Sequence, residues 1–309
     1  MNKRFLLPVL STALLAPAFL AGQVYAEEAA APAESPAVVA NPATSATPAP
    51  VESPAVPETL ATSEVVVPAE APVAPVESTK NEEKDTVILH TNDVHGRIVE
   101  EKGVIGDAKL ATVIEQERAK SNQNTLVVDA GDAFQGLPIS NSTKGEARAG
   151  ILNEMNYDAM AVGNHEFDFG LDEAKKYKEI LKFPLLSANT YVNGARLFEA
   201  ATIVDKDKNR EGDEFVVIGV TTPETATKTH PKNVKGVTFT EPIAEVNKVI
   251  EEIQAKALAE GKDYKHYVVL AHLGVDTTTP VEWRGSTLAE ALSKNPRLKG
   301  KRVTVIDGH

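Results

Sequence analysis

Asn164-His165-Glu166-Phe167-Asp168 follows an apolar run over residues 157–163, so an amide, an imidazole and two carboxylates stand just past what reads as a strand. An open α/β sheet places its ligands at the carboxyl ends of its strands. If this stretch is the floor of an active site, other apolar runs should also end in coordinating side chains, and four do. Residues 86–92 run into Asp93-Val94-His95-Gly96, residues 125–128 into Asp129-Ala130-Gly131-Asp132, residues 266–271 into His272, and residues 303–306 into Asp307-Gly308-His309. Of the 7 histidines, His95, His165, His272 and His309 all fall at such ends.

Between these runs the apolar spacing turns helical. Leu110, Val113 and Ile114 predict a helix over 109–120, Ile151, Leu152 and Met155 one over 147–156, and Tyr177, Ile180 and Leu181 one over 173–181. The longest is expected over 241–260, with Val246, Val249, Ile250 and Ile253 inward and Gly261 as its stop. Further strands are expected over 184–188, 201–204 and 215–220, and the alternation makes residues 85–309 an α/β domain. The charged stretch 205–213 superficially resembles a calcium loop, but its spacing fits none, and it reads as a solvated hairpin turn.

Upstream, Met1-Asn2-Lys3-Arg4 is basic, residues 5–22 are apolar but broken by Pro8 and Pro17, and Val24-Tyr25-Ala26 offers a small-residue cleavage site. This predicts a signal peptide over residues 1–26, cleaved near Ala26 and leading to a secreted or cell-surface location. Nothing later approaches the ~20 apolar residues of a membrane span, so no transmembrane segment is expected in the mature chain. Residues 27–84 are rich in Pro, Ala, Glu and Val without an aromatic residue. Such a composition cannot bury enough surface to offset chain entropy and predicts a disordered linker, suited to holding a domain away from a cell envelope.

Cysteine is absent, so disulfides and thiolate metal sites are excluded and any metal must be held by oxygen and nitrogen. A formal charge of -12 argues against nucleic-acid polymers or anionic membranes as partners. Asp93, His95, Asp132, Asn164, His272 and His309 supply carboxylate, imidazole and amide donors, a set that suits Zn, Mn or Fe rather than calcium or copper. Asp132 can use both oxygens to bridge two cations, and two ions roughly 3.5–4 Å apart clamp the attacking and leaving oxygens at phosphorus. Taken singly, Asp93 reads as a helix cap, Asn164 as a turn former and His272 as a core histidine; their joint placement is what argues for a site. His90 is read as structural within its strand, and His230 and His266 as surface residues. Trp283-Arg284-Gly285 reads either as a substrate contact or as packing, and Glu166 as a support for neighbouring ligands.

In order and spacing, Asp93-Val94-His95, Gly131-Asp132, Gly163-Asn164-His165-Glu166, His272 and Gly308-His309 resemble the calcineurin-like metallophosphoesterases. The longer strings over 90–96 and 163–170 are similar to the bacterial secreted 5′-nucleotidase and UDP-sugar hydrolase branch. The resemblance implies a four-layer α/β/β/α sandwich. It also implies that Asp93 and His95 serve one metal, that Asn164, His272 and His309 serve a second, and that Asp132 bridges. Catalysis is then expected from His165 and Asp168, with His165 protonating the leaving oxygen while Asp168 holds its other nitrogen. A metal-bound water is the expected nucleophile, and nucleoside 5′-monophosphates are the expected substrates. UDP-sugars or 2′,3′-cyclic nucleotides are alternatives, as is a surface binding or adhesion module with a vestigial metal site. In the family the Gly-His pair continues to one more ligand and then to a domain that stacks on the base. This chain stops at His309, which predicts a catalytic domain incomplete at its C-terminus, slow and unselective by itself.

Overall fold

Runs of Val, Ile and Leu that alternate with no polar residue signal strands buried on both faces, which holds for 123–129, 215–221 and 266–272, whereas 85–91 and 302–308 lie at sheet edges and are partly exposed. The computed structural model describes residues 84–309 except 209 and 211; the expected signal peptide and all but the last residue of the linker lie outside the described residues. In chain order the first half forms β1 (Asp85–Thr91), α1 (Asp107–Arg118), β2 (Gln123–Asp129), α2 (Pro138–Asn141), α3 (Glu146–Glu154), β3 (Ala159–Ala161), α4 (Leu171–Ile180) and β4 (Leu185–Leu186). There follow β5 (Thr190–Val192), β6 (Ala195–Arg196), β7 (Ala201–Val204), β8 (Phe215–Thr221), α5 (Thr225–Lys228) and β9 (Val237–Phe239). The last elements are α6 (Pro242–Ala259), β10 (His266–His272), α7 (Gly285–Ser293) and β11 (Arg302–Gly308).

The first sheet has the order β1-β2-β3-β4, all parallel. A second has the order β11-β10-β8-β7, parallel except for β7. Side chains alternate across each strand, so Val127 faces the helices while Leu126 and Val128 face the other sheet. Ile114, Leu152, Phe167 and Tyr177 cover the outer face of the first sheet, and Val246, Ile250, Leu288 and Leu292 that of the second. Between the sheets, Leu126, Val128, Ala161 and Leu186 meet Val217, Val268 and Leu270. The result is the expected four-layer α/β/β/α sandwich. Each of these fully buried aliphatic side chains contributes roughly 1.5–3 kcal/mol of transfer free energy. The sheets approach closely enough for Thr221 Oγ1 to donate to the Val162 carbonyl at 2.7 Å. Gly219 permits this contact, because a Cβ there would lie 2.4 Å from the Leu186 carbonyl oxygen.

Several boundaries differ from the sequence expectations. The run over 157–163 contributes only three residues to β3, since β3 is wedged between β2 and β4 where the turn into the site begins. Val113 is 40% exposed, because the neighbouring Ile114 takes the inward direction a helical step away. Helix α7 and a small antiparallel sheet of order β6-β5-β9 were not anticipated. The Asn193-Gly194 turn that joins β5 to β6, with φ of 51° and 80°, was the available signal for that hairpin. The charged stretch over 205–213 does connect the antiparallel pair β7 and β8. Among the described residues, no helix is long and apolar enough to cross a membrane.

Candidate active site

All eight residues singled out from the sequence gather at the carboxyl ends of β1, β2, β3, β10 and β11. The loops that carry them are held in unfavourable backbone conformations: Asp93, His95, Asp132 and His309 have φ of 51°, 50°, 60° and 92°. Non-glycine residues hold such angles only where their surroundings over-determine them, as at ligand clamps. Here backbone bonds from Asp93 to Gly131, His95 to Asp132 and Gly96 to Ala133 knit the loop after β1 to the loop after β2. The His309 amide donates to the Asp93 carboxylate at 3.0 Å, tying β11 to the same pair.

The rings of His95, His165 and His272 are each oriented by a bond on Nδ1. His95 Nδ1 lies 3.0 Å from the Gln135 carbonyl and His272 Nδ1 2.8 Å from the Ala130 carbonyl, so both rings donate there and turn Nε2 inward. His272 Nε2 lies 2.9 Å from Asp132 Oδ2 and 3.2 Å from Asn164 Oδ1. His95 Nε2 lies 3.9 Å from Asp132 Oδ2 and 4.0 Å from Asp93 Oδ1. Among the described residues, two groups have ligand atoms close enough to share an ion: His95, Asp132 and His165, and Asp132, His272 and His309. Asp132 belongs to both.

The electrostatics favour positive charge between these side chains. Burial opposes the ionisation of Asp132, but His272 outweighs it and holds the carboxyl below its usual range. Burial likewise opposes charge on His272, yet the Asp132 carboxylate raises its pKa to about 9. The pKa of His309 is pushed down by burial and by His272. Its Nε2 is buried without a hydrogen-bond partner, 3.6 Å from Glu224 Oε2. A buried imidazole nitrogen without a hydrogen-bond partner, in one group with the Asp132 carboxylate and His272, fits a borderline divalent cation. His165 behaves differently. Its Nδ1 lies 2.6 Å from Asp168 Oδ2, and that bond raises its pKa.

Glu166 supports the site as expected. Fully buried, it accepts the amides of Asp132, Ala133 and Gly163, locking the loop after β2 to the loop after β3. Gly163 must lack a side chain because a Cβ would lie 2.2 Å from Asp132 Oδ1. Asp129 and Asp307 stand in the strand-end motifs of the sequence, which assigns them no role of their own. Asp129, buried beneath Asp132, accepts the Gly131 amide and the Thr91 hydroxyl. Asp307 accepts the amides of Leu273 and Gly274, fixing the loop after His272. Trp283 donates to Glu241, and Arg284 to the Thr277 and Thr279 carbonyls, so both brace the loop after β10. His90 is exposed, correcting its expected structural role: β1 is an edge strand. His230 is exposed as expected, whereas His266 is half-buried beside the Phe215 ring.

A family model of the calcineurin-like phosphoesterases matches residues 86–309. The chain belongs to this family. A 5′-nucleotidase of Vibrio cholerae is 41% identical over 175 residues, covering 55% of this chain and 31% of the relative. Protein UshA of Escherichia coli K12 is 36% identical over 173 residues, covering 54% and 31%. The calcineurin-like phosphoesterase YfkN of Bacillus subtilis has a crystal structure that superposes with a TM-score of 0.58 at 25% identity, covering 72% of this chain and 71% of that one. A 5′-nucleotidase precursor from Thermus thermophilus gives a TM-score of 0.55 at 28% identity, covering 72% and 41%. This phosphoesterase chain thus spans about a third of the length of the first two relatives.

Proposed function

We propose that the chain is the catalytic part of a secreted phosphohydrolase that removes phosphate from nucleoside 5′-monophosphates with two divalent cations, Zn or Mn. The observation that carries this is the position of Asp132 in both ligand groups. Asp93 and His95 would hold one cation, Asn164, His272 and His309 the other, and Asp132 both. When bound, the pair supplies Lewis acidity that lowers the pKa of water and neutralises the phosphoryl oxygens. The chain itself does the rest. His165, whose bond to Asp168 raises its pKa, would deliver a proton from Nε2 to the leaving oxygen and offer positive charge to the phosphoryl group. The Asp168 contact to Nδ1 fixes which nitrogen faces the substrate. Nucleotide preference is supported by the 5′-nucleotidase names of the relatives, and secretion by the basic and apolar pattern of residues 1–26.

The test is to incubate a complete-length version of the protein with Mn or Zn and measure phosphate release from AMP, UDP-glucose and 2′,3′-cyclic AMP. AMP is expected to be hydrolysed fastest. A protein that binds metal but hydrolyses none of the three would be a binding module instead.

A further inference from the structure

We propose that Thr229 is a positioning residue of this site, acting through Asp168 to fix the ring orientation in which His165 delivers its proton. The inference rests on the general-acid role given to His165 above. Strand β8 ends in no motif that the sequence marks as catalytic, yet the segment after it reaches back across the sandwich to Asp168, which follows β3 of the other sheet. Thr229, buried at 5% exposure, donates from Oγ1 to Asp168 Oδ1 at 2.6 Å. Asn233 Nδ2 donates to the Asp168 backbone carbonyl at 2.7 Å. His165 Nδ1 occupies Asp168 Oδ2 at 2.6 Å, so each carboxylate oxygen has one donor and the plane of the carboxylate is set from both sides.

That constraint matters because His165 is otherwise loosely held. Its backbone amide is pinned to Asp132 Oδ1 at 2.8 Å, but its side chain is 30% exposed and the ring must be gripped at Nδ1. A carboxylate anchored by one oxygen alone can turn about its Cβ–Cγ bond and carry the imidazole with it. In the transfer itself, the water oxygen bonds to phosphorus and releases one proton to solvent, while the ester P–O bond breaks and its electron pair stays on the departing oxygen. That oxygen takes the proton from His165 Nε2, and solvent later restores it. Misaligning Nε2 therefore penalises departure of a basic sugar oxygen and spares departure of an acidic nitrophenol.

The test compares Thr229→Val, which keeps shape without the donor, with Thr229→Ser, which keeps the donor. Thr229→Val should lower kcat on AMP about 10-fold, the low end for a lost outer-shell partner, with little change on p-nitrophenyl phosphate, and Thr229→Ser should recover most of the loss. Added to His165→Ala, Thr229→Val should cost nothing further. Independently of turnover, the His165 Nδ1–H proton resonance of the metal-free protein should shift or broaden in Thr229→Val. Equal losses on both substrates, additivity with His165→Ala, or an unchanged resonance would each overturn the proposal. If the unaltered protein hydrolyses neither ester, the phosphohydrolase reading fails, and the resonance alone then decides whether Thr229 orients the ring.

Discussion

Asp132 Oδ2 and His272 Nε2 face each other at 2.9 Å, both side chains fully or nearly buried. Because Asp132 also receives the His165 amide and belongs to the group around His95, one carboxylate anchors both halves of the site. Asp132→Ala should therefore empty both cation positions. Metal analysis that found two ions retained would remove Asp132 from the bridging role.

His165→Ala should leave metal content intact while lowering turnover on AMP by ~10²–10⁴, the usual range for a lost general acid. Loss of an ion on this substitution would instead make His165 a ligand, a role that its place beside His95 and Asp132 permits geometrically.

Asp129 predicts a pH effect in the metal-free protein. Burial raises its carboxyl to about 6 against the bonds from Thr91 and Gly131. Its folded pKa lies above its unfolded value near 4, so the folded state binds the extra proton and stability falls as pH rises between these values. The full penalty, on the order of 3 kcal/mol, applies above about pH 6 and is absent below about pH 4. Asp129→Asn should flatten this dependence in urea melts taken from pH 4 to 7. Parallel curves for the two proteins would show that Asp129 titrates normally.

Arg148 is wholly buried and paired with Asp107, while its Nε and Nη2 have no hydrogen-bond partner. Removing one member leaves an uncompensated buried charge, so Asp107→Ala should cost roughly 3–5 kcal/mol in denaturant unfolding. Replacing both, with Asp107→Leu and Arg148→Met, should cost far less. A double variant as unstable as the single one would show that the ion pair itself stabilises the fold.

The strands and the ordered set of candidate ligands were legible because both depend on residue type at short range. A run such as Phe215–Thr221 can only be buried, and Asp93 and His95 share one loop whatever surrounds it. The hairpin around Asn193 was less legible because its strands are so short, whereas the helix over Gly285–Ser293 carries Leu288 and Leu292 at helical spacing, a signal that the sequence reading passed over. The two sides of the site differ in the same way. Asp168 lies three residues from His165, so their pairing could be read from the chain, whereas Thr229 lies 61 residues beyond Asp168.

By itself the sequence determined which donor side chains end the strands, because a strand delivers its last residues to one edge of its sheet. Only the tertiary structure decided which nitrogen of His95, His165 and His272 faces inward, that Asp132 stands in both candidate ligand groups, that Glu166 gathers three amides, and that the segment after β8 grips Asp168. Those choices come from the packing of one sheet on the other, which brings together groups that no local pattern relates.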